Sequence, residues 1–160
     1  MRKKDREITD FEEITEIIKR CDACRLALNA DGFPYIVPLN FGIGEAVVTG
    51  AKLTLYFHSA LEGHKIDLIM RDSRASFEMD CSHELQYFED KGYCTMAYES
   101  ITGRGHIRIL DDDEKIPALK TIMDHYHPGM DAYFNPAALP RTLVYALDVE
   151  ELTGKRKLRK

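Results

Sequence analysis

The sequence predicts a mainly β fold with added helices: about seven strands in largely antiparallel succession, forming a closed or partly closed β-barrel with peripheral helices. Three observations carry that expectation. Apolar residues recur with period two along most of the chain, whereas helical spacing appears only in separated stretches. Turn signals such as Asp31-Gly32 join neighbouring period-two runs into hairpins. Helices do not alternate regularly with strands, which argues against a doubly wound parallel sheet.

The elements follow in order. Thr9-x-x-Glu12 has the form of a capping box, and Phe11, Ile14, Ile17, Ile18 and Cys21 follow at helical spacing, so a first helix is expected over 10–20. The period then changes to two. Cys24, Leu26 and Leu28 alternate with Ala23, Arg25 and Ala27, and Tyr35 to Phe41 reads as the second strand of a hairpin. After a Gly-containing loop, Leu53, Leu55 and Phe57 mark a third strand. Ile66, Ile69 and Met70 mark a short helix over 60–71, which Ser59-x-x-Glu62 is placed to cap. Ala75, Phe77, Met79 and Cys81 alternate with Arg74, Ser76, Glu78 and Asp80 as a half-buried strand. Two further strands, 93–102 and 104–110, are expected to join near Thr102-Gly103. A helix marked by Ile116, Leu119, Ile122, Met123 and Tyr126 should end at His127-Pro128-Gly129, and Leu143, Tyr145, Leu147 and Val149 mark a last strand.

At 160 residues the chain fits one domain, expected over 1–154, followed by a basic C-terminal tail at 155–160. The net charge of −5 is uneven: both ends are basic, and the body between them holds twice as many acidic as basic side chains. That balance argues against a broad nucleic-acid surface. No apolar run approaches the ~20 residues of a membrane span, and the N-terminus lacks the apolar core of a signal peptide, so a cytoplasmic protein with no membrane partner is expected.

Two stretches concentrate polar chemistry. In YFHSALEGHKID, Tyr56 to Asp67, a strand delivers His58 and Ser59 to its end, and the chain enters a helix carrying His64 and Lys65 beside Gly63. Free N–H groups at a helix start, the helix dipole and a nearby cation suit a phosphate. The same residues also fit an ordinary helix start, with Ser59 as cap and His64 and Lys65 in solvent. In PYIVPLNF, Pro34 to Phe41, Pro38 cannot donate to a sheet ladder and belongs at an edge or bulge, either to free backbone groups for a ligand or as a plain edge strand.

These stretches in this order, with Arg25-Leu26-Ala27, Tyr98-Glu99-Ser100, Gly103, Gly105 and the opening MRKKDREI, give the chain its resemblance to a known family. It resembles the FMN-binding split-barrel proteins related to pyridoxamine 5'-phosphate oxidase, most closely the branch containing the nitroimidazole-resistance proteins. The resemblance implies a homodimer with FMN at the subunit interface. It implies that Val37, Pro38, Leu39 and Asn40 line the ring system and that Phe57, His58 and Ser59 continue along the flavin and ribityl chain. His64 and Lys65 would hold the phosphate, matching an Arg-Lys pair in the oxidases, and Ser100 would come from the partner chain. Nothing in the basic C-terminus matches the Arg-x-His ending with which the true oxidases hold their substrate, so vitamin B6 oxidation is not expected.

The expected function is accordingly that of an FMN-dependent oxidoreductase reducing a small-molecule electron acceptor such as a nitroaromatic, with His58 or His64 as candidate proton donor. The alternative is a non-catalytic flavin or haem binding protein on the same fold. No metal site is expected: Cys21-x-x-Cys24, Cys81-x-His83 and His125-x-His127 form no paired zinc knuckle. Cys21 and Cys24 read as structural, Cys81 and Cys94 as small core residues, and His106 and Arg108 as solvated.

Overall fold

The computed structural model describes residues 4–46 and 50–159. Met1, Arg2 and Lys3 of the opening motif and Lys160 of the basic end lie outside the described residues. In chain order the elements are β1 (Glu7–Ile8), α1 (Phe11–Lys19), β2 (Cys24–Leu28), β3 (Tyr35–Leu39), β4 (Gly42–Gly44), β5 (Leu53–Ala60), α2 (His64–Arg71), β6 (Arg74–Phe88), β7 (Tyr93–Ile109), α3 (Asp112–Tyr126) and β8 (Thr142–Lys157).

All pairings are antiparallel, in the order β3-β2-β6-β7-β8-β5-β4, with β1 added to β8. The outermost strands of this path, β3 and β4, are consecutive in the chain and separated only by Asn40 and Phe41. A sheet whose two edges are tied by so short a connection must curl until they nearly meet. The result is a barrel split between β3 and β4, the split bridged by the chain itself.

β8 shows how the layers form. Tyr145, Leu147 and Val149 enter the main core with Leu26, Phe57, Phe77, Met79 and Ile101, which α1 and α2 extend through Ile17, Ile18, Ile66 and Ile69. The alternate residues Val144 and Ala146 face the other way and pack with Leu110 and with Ala118, Leu119 and Ile122 of α3. Both faces of this stretch are buried, so it reads as a nearly continuous apolar run.

Several expected boundaries move. The cap of α1 is Asp10, whose carboxylate accepts from the Glu13 N–H at 2.8 Å, one residue beyond the expected Thr9 box. α2 begins at His64 behind Gly63, and Ser59 does not cap it: the Ser59 hydroxyl donates to the Ala60 carbonyl at 2.9 Å. The two strands expected around Thr102-Gly103 are one 17-residue strand, β7, because Gly103 and Gly105 serve close approach rather than a turn; the register slips between Arg104 and Gly105 as in a β-bulge. β6 likewise runs past Cys81, across an irregularity before Glu84 where Ser82 takes φ 58°. β4 went unseen because three residues are too few to show a period.

β8 extends beyond Val149 and carries Lys155, Arg156 and Lys157 in the sheet. Arg156 is a structural cation: its Nε donates to Glu99 Oε1 at 2.5 Å, and its Nη1 pairs with Glu13. Glu99 also accepts from Arg20 Nη2 at 2.5 Å and from the Ser82 hydroxyl at 2.9 Å. Arg108, expected in solvent, instead bridges Asp148 at 3.1 Å and Glu114 at 2.8 Å.

Burial alone would raise the Glu99 pKa, yet the bonds from Arg20, Ser82 and Arg156 together hold it below the ordinary value. A depressed carboxyl pKa contributes stability above the unfolded value, about pH 4.3, and loses it as pH falls through the folded pKa. Glu99→Gln is therefore expected to cost about 2 kcal/mol at pH 7, discounted for the half-exposed Arg20, with the gap to the parent closing below about pH 4. Urea melts at both pH values check this, and a gap that stays constant with pH would show that charge is not its source.

Candidate functional site

The end of β5 and the start of α2 meet at the rim of the barrel. Phe57 points inward and stacks on Tyr145, ring centroids 5.6 Å apart. His58 lies opposite Val144, on the face that α3 covers, and Ser59 lies opposite Leu143. After Leu61 and Glu62, Gly63 takes φ 134°, which a side chain would resist, and α2 begins with no side-chain cap. A Cβ on Gly63 would meet nothing within 4 Å, and while the Ile66 and Asp67 N–H groups donate to the Gly63 carbonyl at 2.8 and 3.1 Å, no side chain caps the N–H groups before them.

A histidine and a lysine flank that helix start. The His64 ring sets its edge against Tyr35 of β3 at 5.1 Å. Lys65 is half-buried with its ammonium 6.0 Å from the Tyr145 ring centroid, and among the described residues no carboxylate lies within ion-pair distance of it. Burial lowers the Lys65 pKa. His58 keeps an exposed edge, but burial of the rest of the ring, and next the Lys65 charge, lower its pKa too, so it is neutral at pH 7.

Tyr145 is the residue that sequence reasoning missed. Its side chain is fully buried and its hydroxyl has no hydrogen-bond partner, while burial pushes the phenol pKa up and the neighbouring Ser59 hydroxyl only partly opposes this. An orphaned buried donor is costly, and the ring that carries this one lies 6.0 Å from the Lys65 ammonium. Only the alternation of β8 marked Tyr145 in the sequence, as a core position; its place opposite Phe57 needs the pairing of two distant strands.

β3 is an edge strand, as Pro38 requires. Val37 and Leu39 turn toward the core, while Pro38 and Asn40 are exposed. The His64–Tyr35 contact joins the start of β3 to α2, and the run from Tyr35 to Asn40 spans roughly 16 Å at the usual strand rise. Ser100 stands apart: it lies in β7 opposite Asp80 and Lys155, with β8 between it and β5.

The remaining candidates take other roles. Burial pushes the Cys21 and Cys24 thiols up, the reverse of what a reactive thiol needs. Cys94 is exposed rather than a core residue. His125 lies 3.0 Å from the Cys21 carbonyl through Nε2 and packs on Phe41 at 4.3 Å, and His83 pairs with Asp80 at 2.7 Å. Among the described residues, no group of three or more His, Cys, Asp or Glu is arranged to hold a metal ion, and no helix is long and apolar enough to cross a membrane.

An antiparallel path whose end strands β3 and β4 stay unpaired and are bridged by two residues, with helices α1, α2 and α3 on it, defines a split-barrel protein. Residues 10–156 match the model of the pyridoxamine 5'-phosphate oxidase family, and the chain belongs to that family. Comparison with curated proteins gave no match. Among solved structures, a candidate 5-nitroimidazole antibiotic resistance protein from Bacteroides thetaiotaomicron is 32% identical, with a TM-score of 0.80 over 94% of this chain and 86% of that one. The FAD and haem binding protein of Mycobacterium smegmatis shares the fold at 21% identity and a TM-score of 0.77, over 96% of this chain and 74% of that one. A flavocytochrome from Azotobacter vinelandii shares it at 16% identity and 0.76, over 99% and 72%.

Proposed function

We propose that the chain binds FMN and serves as a flavin-dependent oxidoreductase that reduces a small acceptor such as a nitroaromatic. The observation that carries this reading is the half-buried, carboxylate-free Lys65 at the start of α2, where no side chain caps the helix, with its ammonium near the Tyr145 ring. A half-buried cation facing free N–H groups is in place for a phosphate. The ~16 Å from Tyr35 to Asn40 gives an elongated ligand room beyond its phosphate. The family match and the 32% identity to the Bacteroides protein support the same reading.

In this reading His64, Lys65 and the first N–H groups of α2 hold the phosphate, Ser59 and the backbone at Phe57 line the chain beyond it, and Val37 to Asn40 border the ring system. Bound flavin supplies one- and two-electron transfer. His58, its pKa lowered and one edge exposed, is placed to donate a ring N–H hydrogen bond to an acceptor atom; it would deliver a proton only as imidazolium, and it is better placed for that than His64, which sits at the phosphate end.

A homodimer belongs to the proposal. The far ends of β6 and β7 carry Leu85 and Tyr87 opposite Met96 and Cys94, and this paired apolar face is exposed, 63% at Leu85 and 67% at Tyr87. A second copy covering that face would supply Ser100 to the site. The protein is expected to purify yellow or to take up FMN stoichiometrically, to scatter light as a dimer, and to oxidise a reduced nicotinamide in the presence of a nitroaromatic. Flavin uptake without turnover would favour a non-catalytic carrier, and a haem spectrum in place of a flavin one would overturn the cofactor assignment.

A further inference from the structure

The cysteines are all free thiols, and two of them from distant parts of the chain meet. Cys21 directly follows the C-cap of α1, and its buried thiol donates to the Ile17 carbonyl at 3.4 Å. Cys81 of β6 is half-buried, and its sulfur lies 4.0 Å from the same carbonyl oxygen. The two sulfurs rest against one backbone atom and cannot be farther apart than those distances combined. β6 pairs Asp80 with Ser100 and Cys81 with Glu99, so strand alternation turns Cys81 to the α1 side and Ser100 to the other face. The thiol pair is therefore separate from the residue assigned to the partner's site.

Their surroundings set an order of reaction. Burial, and next the neighbouring Cys81 thiol, push the Cys21 pKa up, which keeps Cys21 protonated and out of reach of solutes. Cys81 keeps a solvent-facing edge. The Ser82 hydroxyl oxygen lies 3.6 Å from its sulfur, and Glu99 Oε2, which accepts from Arg20 at 2.5 Å, lies 4.0 Å away. The β6–β7 register breaks immediately after Cys81, where Ser82 takes φ 58°, so the ladder does not hold the chain on that side.

We propose that Cys81 and Cys21 form a peroxide-sensitive thiol pair, in which Cys81 is oxidised first and Cys21 then closes a disulfide that ties the end of α1 to β6. The Cys81 thiolate attacks the O–O bond of hydrogen peroxide, takes one oxygen and releases hydroxide, which leaves as water with the thiol proton. The Cys21 sulfur then attacks the Cys81 sulfenic acid; the S–O bond breaks, and the hydroxyl leaves with the Cys21 proton as a second water. The two thiols lose two electrons and two protons, and peroxide accepts them. An excess of a small dithiol reverses the change.

The test uses the full chain carrying Cys94→Ser, which removes the exposed thiol that could link two copies. After hydrogen peroxide, the intact mass is expected to fall by two hydrogens, and a non-reducing tryptic digest should join peptide 21–25 to peptide 75–91. Fragmentation between Asp22 and Ala23 assigns the bond to Cys21 rather than Cys24. Dithiothreitol should remove the link, and the link should form with or without FMN, so its outcome is independent of the flavin reading. In Cys21→Ala the Cys81 sulfenic acid has no partner and should take up dimedone; in Cys81→Ala neither the link nor a dimedone adduct should appear. A bond from Cys24, a dimedone adduct on Cys21, or thiols unchanged at a peroxide excess that oxidises free cysteine would overturn the proposal. The peptide mapping needs no substitution in the core, so it decides the matter even where Cys21→Ala folds poorly.

Discussion

Lys65→Ala weakens FMN binding by roughly tenfold to a hundredfold and leaves riboflavin binding nearly unchanged. Charge-assisted hydrogen bonds contribute about 1.5–3 kcal/mol each, and 1.4 kcal/mol is a factor of ten in affinity. The site makes this estimate apply with little discount, because Lys65 has no carboxylate to fall back on and is half-buried against Tyr145. His64→Ala costs less, since that ring is more exposed and leans its edge on Tyr35. Burial lowers the Lys65 pKa, and a bound phosphate raises it again, so binding takes up charge on Lys65 as pH climbs. FMN affinity should therefore fall at a lower alkaline pH than an exposed lysine would give, and Lys65→Ala should remove that fall. Titrations with FMN and riboflavin check both points. Equal losses for the two flavins would mean that Lys65 acts through the placement of α2 rather than through the phosphate.

Gly105→Ala lowers the melting temperature by about 10 °C. A Cβ at this position would stand 1.9 Å from the Asp148 carbonyl oxygen and 3.0 Å from the Val149 Cα, both backbone atoms of β8 that no rotamer change can move. Accommodating it means shifting β7 against β8, beside the buried Asp148 carboxylate that accepts from Thr54 at 3.0 Å and Arg108 at 3.1 Å. Overpacking of this kind costs about 3 kcal/mol, and each kcal/mol lowers the melting point by about 3 °C in a domain of this size. A melting point within about 3 °C of the parent would show that the bulge absorbs the methyl group.

Which features were legible in the sequence follows from their range. The alternation of Ala75, Phe77 and Met79 marks a strand with one apolar face, and the spacing of Ile14, Ile17 and Ile18 marks a helix, because each period reflects backbone geometry within a few residues. The stop of α3 at His127 before Pro128 and Gly129 is equally local. Gly103 and Gly105 were misread for the opposite reason: a glycine signals a turn or a close approach alike, and only the neighbouring strands decide which. Ser59 was misread as a cap because a Ser-x-x-Glu pattern says nothing of where the helix starts, and here four more residues pass before it does. The polar stretch His58 to Lys65 was visible as chemistry, but Tyr145, more than 70 residues away, could enter the site only through the β5–β8 pairing.

By itself, then, the amino-acid sequence determined the mainly β character, the inward face of β2, β5, β6 and β8 and of the middle of α1, and the cluster of His58, Ser59, His64 and Lys65, since each depends on spacing along a short segment. The tertiary structure decided the rest. Approach of the unpaired β3 and β4 ends, bridged by Asn40 and Phe41, makes the sheet a split barrel, and pairing of β7 with β8 turns the basic C-terminal run into sheet and Arg156 into the partner of Glu99 and Glu13. Packing of α3 over Val144 and Ala146 places a small apolar cavity behind His58. These outcomes depend on contacts between residues far apart in sequence, where register and close packing select among arrangements that local periodicity leaves equal.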